Sequence, residues 1–162
     1  MNIIVLANAN QQAEILLKAT NKRVNIDFAK SFDTVLNQNA DAYFVFTEVA
    51  DIFKLKEFTL KPVFFNSVFY TLKELELPQN ISRINGWTGF LQRDCWEVAT
   101  QNEEMVKEIF KELQWKYLLV KDEPGLISAR IISMIVNEAF FALEDDVSTK
   151  GEIEIAMKLG TN

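Results

Sequence analysis

Histidine is absent from the 162-residue sequence, and cysteine occurs once, at Cys95. The lack of histidine removes the side chain that serves most often as a general base near neutral pH. A single cysteine excludes an internal disulfide and favours the reducing cytoplasm as the location of the protein. Because no histidine is available to activate its thiol, Cys95 is interpreted as a half-buried structural residue rather than a nucleophile.

Long apolar runs and blocks of like charge are also missing. The longest apolar run near the start, from Ile3 to Ala7, is too short for a signal peptide or a membrane span. Seventeen basic and 23 acidic residues give a formal charge of −6, and these charges are spread along the chain. Nucleic acid and membranes are therefore not expected as partners.

Apolar residues are plentiful, at 49% of the chain, and 13 of them are phenylalanine. This composition predicts a folded domain with a core. Near-continuous apolar runs of four to six residues are typical of parallel strands that are buried on both faces. Strands are predicted over 2–7, 24–28, 42–46, 62–65 and 117–120, with shorter extended pieces over 81–86 and 96–100. Helices are predicted between several of them, so the alternation indicates an α/β sheet.

The predicted helices have recognisable starts and apolar faces. The first, over 11–20, places Ala13, Ile15, Leu16 and Leu17 on one stripe, and a later one begins with a capping box at 100–103. After the last strand, Pro124 suits the first turn of a long helix through residue 144. A second capping box over 149–152 begins a helix that ends at residue 160. The predicted boundary between sheet and helices follows residue 122.

From Lys121 to Asn162 the sequence closely resembles one stretch of the 3-hydroxyacyl-CoA dehydrogenases, the family that includes 3-hydroxybutyryl-CoA dehydrogenases. The matching residues are Pro124-Gly125, Arg130, Asn137-Glu138-Ala139, Leu143-Glu144 and Ala156 to Gly160. Upstream, Arg83 to Gly86 and Glu97-Val98 resemble the two ends of the family's histidine motif. The resemblance implies a shortened, degenerate Rossmann-like domain with a mostly parallel sheet over 1–122, and a helical dimerisation segment over 123–162.

The resemblance also implies where a catalytic site would lie. In the family a histidine takes the proton of the substrate hydroxyl while hydride passes to NAD, and a glutamate orients the imidazole. The histidine position falls on Thr88 and the glutamate position on Glu97. Glu97 is interpreted equally well as a solvent-facing residue of a strand or as a vestigial site residue. The family's serine falls on Val68, or on Ser67 after a shift of one residue, and its asparagine becomes Ala129. No intact catalytic set remains, and these positions are interpreted as vestigial.

The loop after the first strand lacks the glycines of a dinucleotide-binding fingerprint. Ala7, Ala9 and Gln12 stand where three glycines would let the backbone turn tightly and approach a pyrophosphate. Each added side chain occupies space that a phosphate needs. No cofactor and no metal is therefore expected, and NAD is implied only if the family's activity persists.

Two functions follow from the resemblance. The favoured hypothesis is a homologue without hydride transfer that acts as a binding or interaction protein. The alternative is an NAD-dependent oxidoreductase of fatty-acid metabolism, acting on 3-hydroxyacyl-CoA thioesters with non-standard or partner-supplied catalytic residues. In the family further helices follow residue 162, so the helix over 124–144 is expected to expose an apolar strip. We therefore expect a homodimer through Ile127, Ile131, Met134 and Ile135, with acyl-CoA as a candidate ligand.

Overall fold

The computed structural model describes residues 1–18, 21–46, 52–58 and 60–160. Within these ranges seven strands lie in one sheet, and each predicted strand is confirmed to within two residues at either end. The strands are β1 (Asn2–Leu6), β2 (Asn25–Ala29), β3 (Ala42–Val45), β4 (Val63–Asn66), β5 (Ile81–Ile84), β6 (Cys95–Ala99) and β7 (Lys116–Leu119).

The order of the strands across the sheet is β2-β1-β3-β4-β5-β6-β7. The first five strands run parallel, with Ile3 of β1 opposite Ile26 of β2 and Ala42 of β3. Strand β6 pairs antiparallel with β5, where Ile84 lies opposite Val98, and β7 runs parallel to β6. The predicted fold class, a mostly parallel Rossmann-like sheet followed by a helical segment, is confirmed.

The helices are α1 (Ala9–Leu16), α2 (Phe32–Asn37), α3 (Glu103–Leu113), α4 (Ser128–Glu144) and α5 (Lys150–Gly160), with a 3₁₀ helix over Ile52–Glu57. Helix α1 begins two residues before its predicted start, and the last two residues predicted for it, 19 and 20, lie outside the described residues. The predicted capping box at the start of α5 is confirmed, because the N–H of Thr149 donates to Glu152 Oε2 at 2.9 Å and the N–H of Glu152 donates to Thr149 Oγ1 at 3.3 Å.

Two predicted helix starts are wrong. The long helix α4 begins at Ser128 and not at Pro124, because Gly125 and Leu126 have φ angles of 83° and 50°, which a right-handed helix does not contain. Helix α3 is capped by Asn102 and not by Thr100, since Asn102 Oδ1 accepts the N–H of Met105 at 3.1 Å. In both cases the apolar periodicity predicts the helix correctly, but the first turn of the helix is predicted at the wrong residues.

The sheet is buried on both faces. Ile3, Val5, Phe44 and Phe64 point to one face, where α3 covers them with Val106, Phe110 and Leu113, and where Trp96 and Trp115 lie in the same cluster. Ile4, Leu6, Tyr43 and Phe65 point to the other face, where they pack with Val35, Leu55, Phe58 and Leu72. This two-sided burial explains why the strands are almost continuously apolar.

The chain divides into two compact units, Met1–Leu126 and Ile127–Asn162. The first contains the sheet, and the second contains α4 and α5. The predicted boundary after residue 122 lies four residues before this division, and the last two residues of the predicted segment lie outside the described ones. No helix in the described part of the chain is long and apolar enough to cross a membrane.

Candidate functional site

The carboxyl ends of β1, β3, β4 and β5 meet at one edge of the sheet, which is where open α/β sheets bind their ligands. In this protein the side chain of Gln11, from the first turns of α1, lies across that edge. Its Nε2 donates to Phe46 O after β3 at 3.3 Å and to Gly86 O after β5 at 2.7 Å. Gln11 is only 4% exposed, so one buried amide links α1 to the ends of two strands.

Asn66, the last residue of β4, completes this network. Its Nδ2 donates to Phe46 O at 3.2 Å, and its Oδ1 accepts the N–H of Gly86 at 3.0 Å. A Cβ at Gly86 would lie 2.7 Å from Phe46 Cδ1 and 2.9 Å from Asn66 Cβ, so only glycine fits there. The strand ends are thus held together by the chain's own polar groups and by close packing. We call these four residues, Gln11, Phe46, Asn66 and Gly86, the edge network.

The start of α1 is organised by a capping box that the sequence analysis did not identify. Asn8 Oδ1 accepts the N–H of Gln11 at 3.0 Å, while Gln11 Oε1 accepts the N–H of Asn8 at 2.9 Å. Three residues stand at the glycine positions of the dinucleotide-binding fingerprint. Ala7 is buried, Ala9 is exposed, and Nε2 of Gln12 donates to Ala7 O at 2.8 Å. Side chains therefore surround the first turn of α1.

The predicted apolar stripe on α1 is wrong. Only Ile15 of the four predicted residues is buried, whereas Ala13, Leu16 and Leu17 are exposed. Two polar residues, Gln11 and Glu14, are buried in their place. They are buried because hydrogen-bond partners far along the chain satisfy them, and helical periodicity alone gives no sign of such partners.

The positions implied for catalysis lie in different surroundings. Thr88 is exposed in the turn after β5, and Glu97 is half-buried on β6. Ser67 is buried after β4, where its N–H donates to Ile84 O at 3.3 Å and its Oγ donates to Tyr70 O at 2.7 Å. The loops of Ser67 and Thr88 thus follow neighbouring strands, β4 and β5. Ala129 lies in the first turn of α4, in the second unit.

Arg83 of β5 is a fully buried cation, which the sequence analysis names only as part of the resemblance over Arg83 to Gly86. Its Nε lies 3.1 Å from Asp122 Oδ1, its Nη1 donates to Tyr70 O, and its Nη2 donates to Glu123 O. Burial lowers the pKa of the Arg83 guanidinium, and the carboxylates of Asp122 and Glu74 oppose that shift. The hydrogen bond to Tyr70 O holds the loop after β4, and the contacts with Asp122 and Glu123 hold the segment after β7, against β5.

The remaining predicted features are easily located. Cys95 is exposed at the start of β6, so the prediction of a half-buried thiol is wrong. No cluster of three metal-ligating side chains occurs among the residues that the structure describes.

The predicted interface residues Ile127, Ile131, Met134 and Ile135 are all exposed on or just before α4. Within the second unit, α4 and α5 also enclose an open apolar groove of about 470 Å³. Its lining includes Val136, Ala139, Phe140, Leu143, Ile153 and Met157.

No family model matches the chain. In sequence it is 30% identical over 131 residues to the 3-hydroxybutyryl-CoA dehydrogenase of Clostridioides difficile, a match that covers 80% of this chain and 40% of that protein. It is 42% identical over 45 residues to the 3-hydroxyadipyl-CoA dehydrogenase of Escherichia coli (strain K12), covering 28% of this chain and 10% of that protein. In structure it matches the (S)-3-hydroxybutyryl-CoA dehydrogenase of Ralstonia eutropha with a TM-score of 0.69 at 15% identity, over 99% of this chain and 77% of that one.

The sheet and its similarity to solved structures define the class of the protein, which has the fold of the Rossmann-like dehydrogenases. Within that class the chain is a homologue of the 3-hydroxyacyl-CoA dehydrogenases, as the sequence predicts. The matched stretches span 40% of one curated relative and 10% of the other.

Proposed function

We propose that this homologue does not transfer hydride and acts instead as a binding or interaction protein. The edge network is the observation that supports this most. Gln11 donates to the carbonyl oxygens that follow β3 and β5 and thereby lies across the edge where a Rossmann-like sheet takes its ligand. A dinucleotide bound there would have to displace contacts that hold three strand ends together.

The start of α1 does not fit a pyrophosphate. A phosphate at a helix N-terminus is bound by backbone N–H groups that a glycine-rich turn leaves open. Here the N–H of Gln11 already donates to Asn8 Oδ1, and the side chains of Gln11 and Gln12 fold back over the turn. Absence of NAD binding is therefore part of the proposal.

The missing general base supports the same conclusion. Hydride removal from a hydroxyl-bearing carbon requires a group that accepts the hydroxyl proton near neutral pH. The chain has no histidine, and an exposed threonine stands at the implied position, Thr88. A threonine hydroxyl does not accept a proton near neutral pH. Of the implied histidine and glutamate pair, only the glutamate, Glu97, is therefore retained.

The names of the relatives favour a second candidate, an NAD-dependent oxidoreductase that acts on 3-hydroxyacyl-CoA thioesters and draws catalytic groups from elsewhere. The two candidates differ in one assay, in which the protein is mixed with NADH and acetoacetyl-CoA and NADH absorbance is followed. We expect no consumption above a protein-free blank, with the Ralstonia eutropha enzyme as positive control. Consumption that requires both substrates and is lost in Glu97→Gln would establish the second candidate. Without hydride transfer, any affinity for acyl-CoA should be independent of NADH.

The proposed partner is a second copy of the chain, bound through α4 and α5. The exposed side chains of Ile131, Met134, Ile135 and Phe141 form part of an apolar surface on one helix, next to the groove between α4 and α5. Exposed apolar patches of this kind usually mark protein interfaces. A cytoplasmic location stays a prediction that rests on the single cysteine.

Light scattering tests the homodimer. We expect a mass of twice the 18.7 kDa of one chain. Met134→Glu, which places a charge on the apolar surface, should shift the mass toward one chain without loss of helicity, whereas Glu108→Lys on α3 should not. A wild-type mass of one chain at high protein concentration would refute the dimer.

A further inference from the structure

The carboxylate of Glu14 is buried in α1 and is bound by the backbone of a distant loop. Its Oε1 accepts the N–H of Gly89 at 2.6 Å, and its Oε2 accepts the N–H groups of Leu91 at 3.0 Å and Gln92 at 3.3 Å. Glu14 is 8% exposed. Burial of a carboxylate is costly unless hydrogen bonds replace its water, so these three bonds explain how the charge is accommodated.

The local geometry of the loop points several of its backbone N–H groups toward one place. Gly89 has a φ of +89°, a conformation that side chains other than glycine rarely adopt. Turn hydrogen bonds on either side, from Phe90 N–H to Trp87 O and from Arg93 N–H to Phe90 O, fix the loop after β5. Nearby backbone N–H groups that point to one place form concavities that bind anions.

We propose that the backbone of residues 89–92 is an anion-binding nest whose resident ligand is the carboxylate of Glu14, so that α1 keeps the nest closed to external anions. The anions that the nest would otherwise take are carboxylates and phosphates, since both present oxygens with the charge and spacing that Glu14 supplies. The nest belongs to the loop that also carries Thr88 and Trp87, next to the ligand-binding edge of the sheet. The assignment does not depend on the proposed loss of hydride transfer.

Removal of the resident carboxylate should open the nest to external anions. The full chain carrying Glu14→Ala is titrated with sodium acetate and, separately, with inorganic phosphate, while sodium chloride keeps the ionic strength constant. At ten times the dissociation constant, a bound anion should raise the midpoint of thermal unfolding of the variant by about 4 °C. The wild type should not respond, because its nest is filled.

Two matched variants make the test specific. Glu104→Ala removes an exposed glutamate of α3 that pairs with Lys107, and it should behave as the wild type does. Glu14→Ala combined with Gly89→Ala should lose the anion response, because alanine is strained at the φ that Gly89 adopts. An equal response in Glu14→Ala and Glu104→Ala, or none in either, would overturn the proposal.

If Glu14→Ala does not fold, Glu14→Ser serves instead, because it also removes the carboxylate and its short side chain leaves room for an anion. The measurement is then the amide ¹H–¹⁵N spectrum during titration with phosphate at constant ionic strength. Saturable shifts confined to Gly89, Leu91 and Gln92 support the nest. Shifts no larger than those that chloride produces contradict it.

Discussion

Gln11→Ala is the substitution that tests the edge network most directly for stability. It removes the donor to Phe46 O and to Gly86 O and also the side chain that completes the capping box with Asn8. Phe46 O keeps the amide of Asn66 as a donor, whereas Gly86 O loses its 2.7 Å bond to Gln11. The perturbation therefore falls mainly on the loop after β5.

The expected loss follows from these contacts. Three lost hydrogen bonds contribute about 1 kcal/mol each, and a buried carbonyl left without its donor adds about 1 kcal/mol, for a loss of about 4 kcal/mol in the free energy of unfolding. For a chain of this size that corresponds to a drop of about 12 °C in the unfolding midpoint. Had Gln11 simply been a surface residue of α1, the loss would be about 0.5 kcal/mol or less.

Urea unfolding followed by tryptophan fluorescence measures this loss, because Trp96 and Trp115 lie in the core of the first unit. Gln101→Ala is the matched control, since Gln101 is an exposed glutamine just before α3. The slope of the free energy against urea should be the same in both variants, so that the midpoints alone differ. Equal midpoints for Gln11→Ala and Gln101→Ala would refute the edge network as a stabilising feature.

Three further substitutions address the surrounding contacts. Gly86→Ala should lower stability by about 2 kcal/mol, because its Cβ would overlap Phe46, and a thermal midpoint equal to wild type would contradict the close packing. Arg83→Met should cost about 3 kcal/mol by leaving the Asp122 carboxylate without its cation, and Asp122→Asn in the same chain should restore part of the loss. Purely additive losses would argue against the ion pair. Hydrogen bonds from Thr71 lower the pKa of Glu74 below its ordinary value of 4.5. The ionised carboxylate therefore stabilises the fold fully above that pH, and this contribution is lost as the pH falls through the lower folded-state pKa. Glu74→Gln should therefore reduce the decrease in the free energy of unfolding, measured with urea, that occurs as the pH falls. A decrease equal to that of the wild type would contradict this.

Much of the fold could be predicted because the strands are marked by local composition. Strands β1, β3 and β4 are almost continuously apolar, and each is buried on both faces. The capping box at Thr149 is likewise a local signal and appears as predicted. The start of α4 could not be predicted in the same way, since Pro124 is also compatible with the turn that Gly125 and Leu126 form.

The polar residues at the sheet edge could not be predicted from helical periodicity. Gln11 and Glu14 interrupt the apolar stripe of α1, and their partners lie between 35 and 78 residues along the chain. Only the spacing of Asn8 and Gln11, which matches a capping box, marks the start of α1 in the sequence. The position of Ser67 likewise depends on a tertiary contact, because its N–H donates to Ile84 O of the neighbouring strand.

The central claim is that the edge network occupies the place of a dinucleotide, and an equilibrium titration with NADH tests it most directly. The full chain is titrated to millimolar NADH by calorimetry, with the tryptophan fluorescence of Trp87 and Trp96 as a second readout. The proposal predicts no saturable heat and no saturable change in fluorescence. Saturable binding of NADH at micromolar concentration would contradict it.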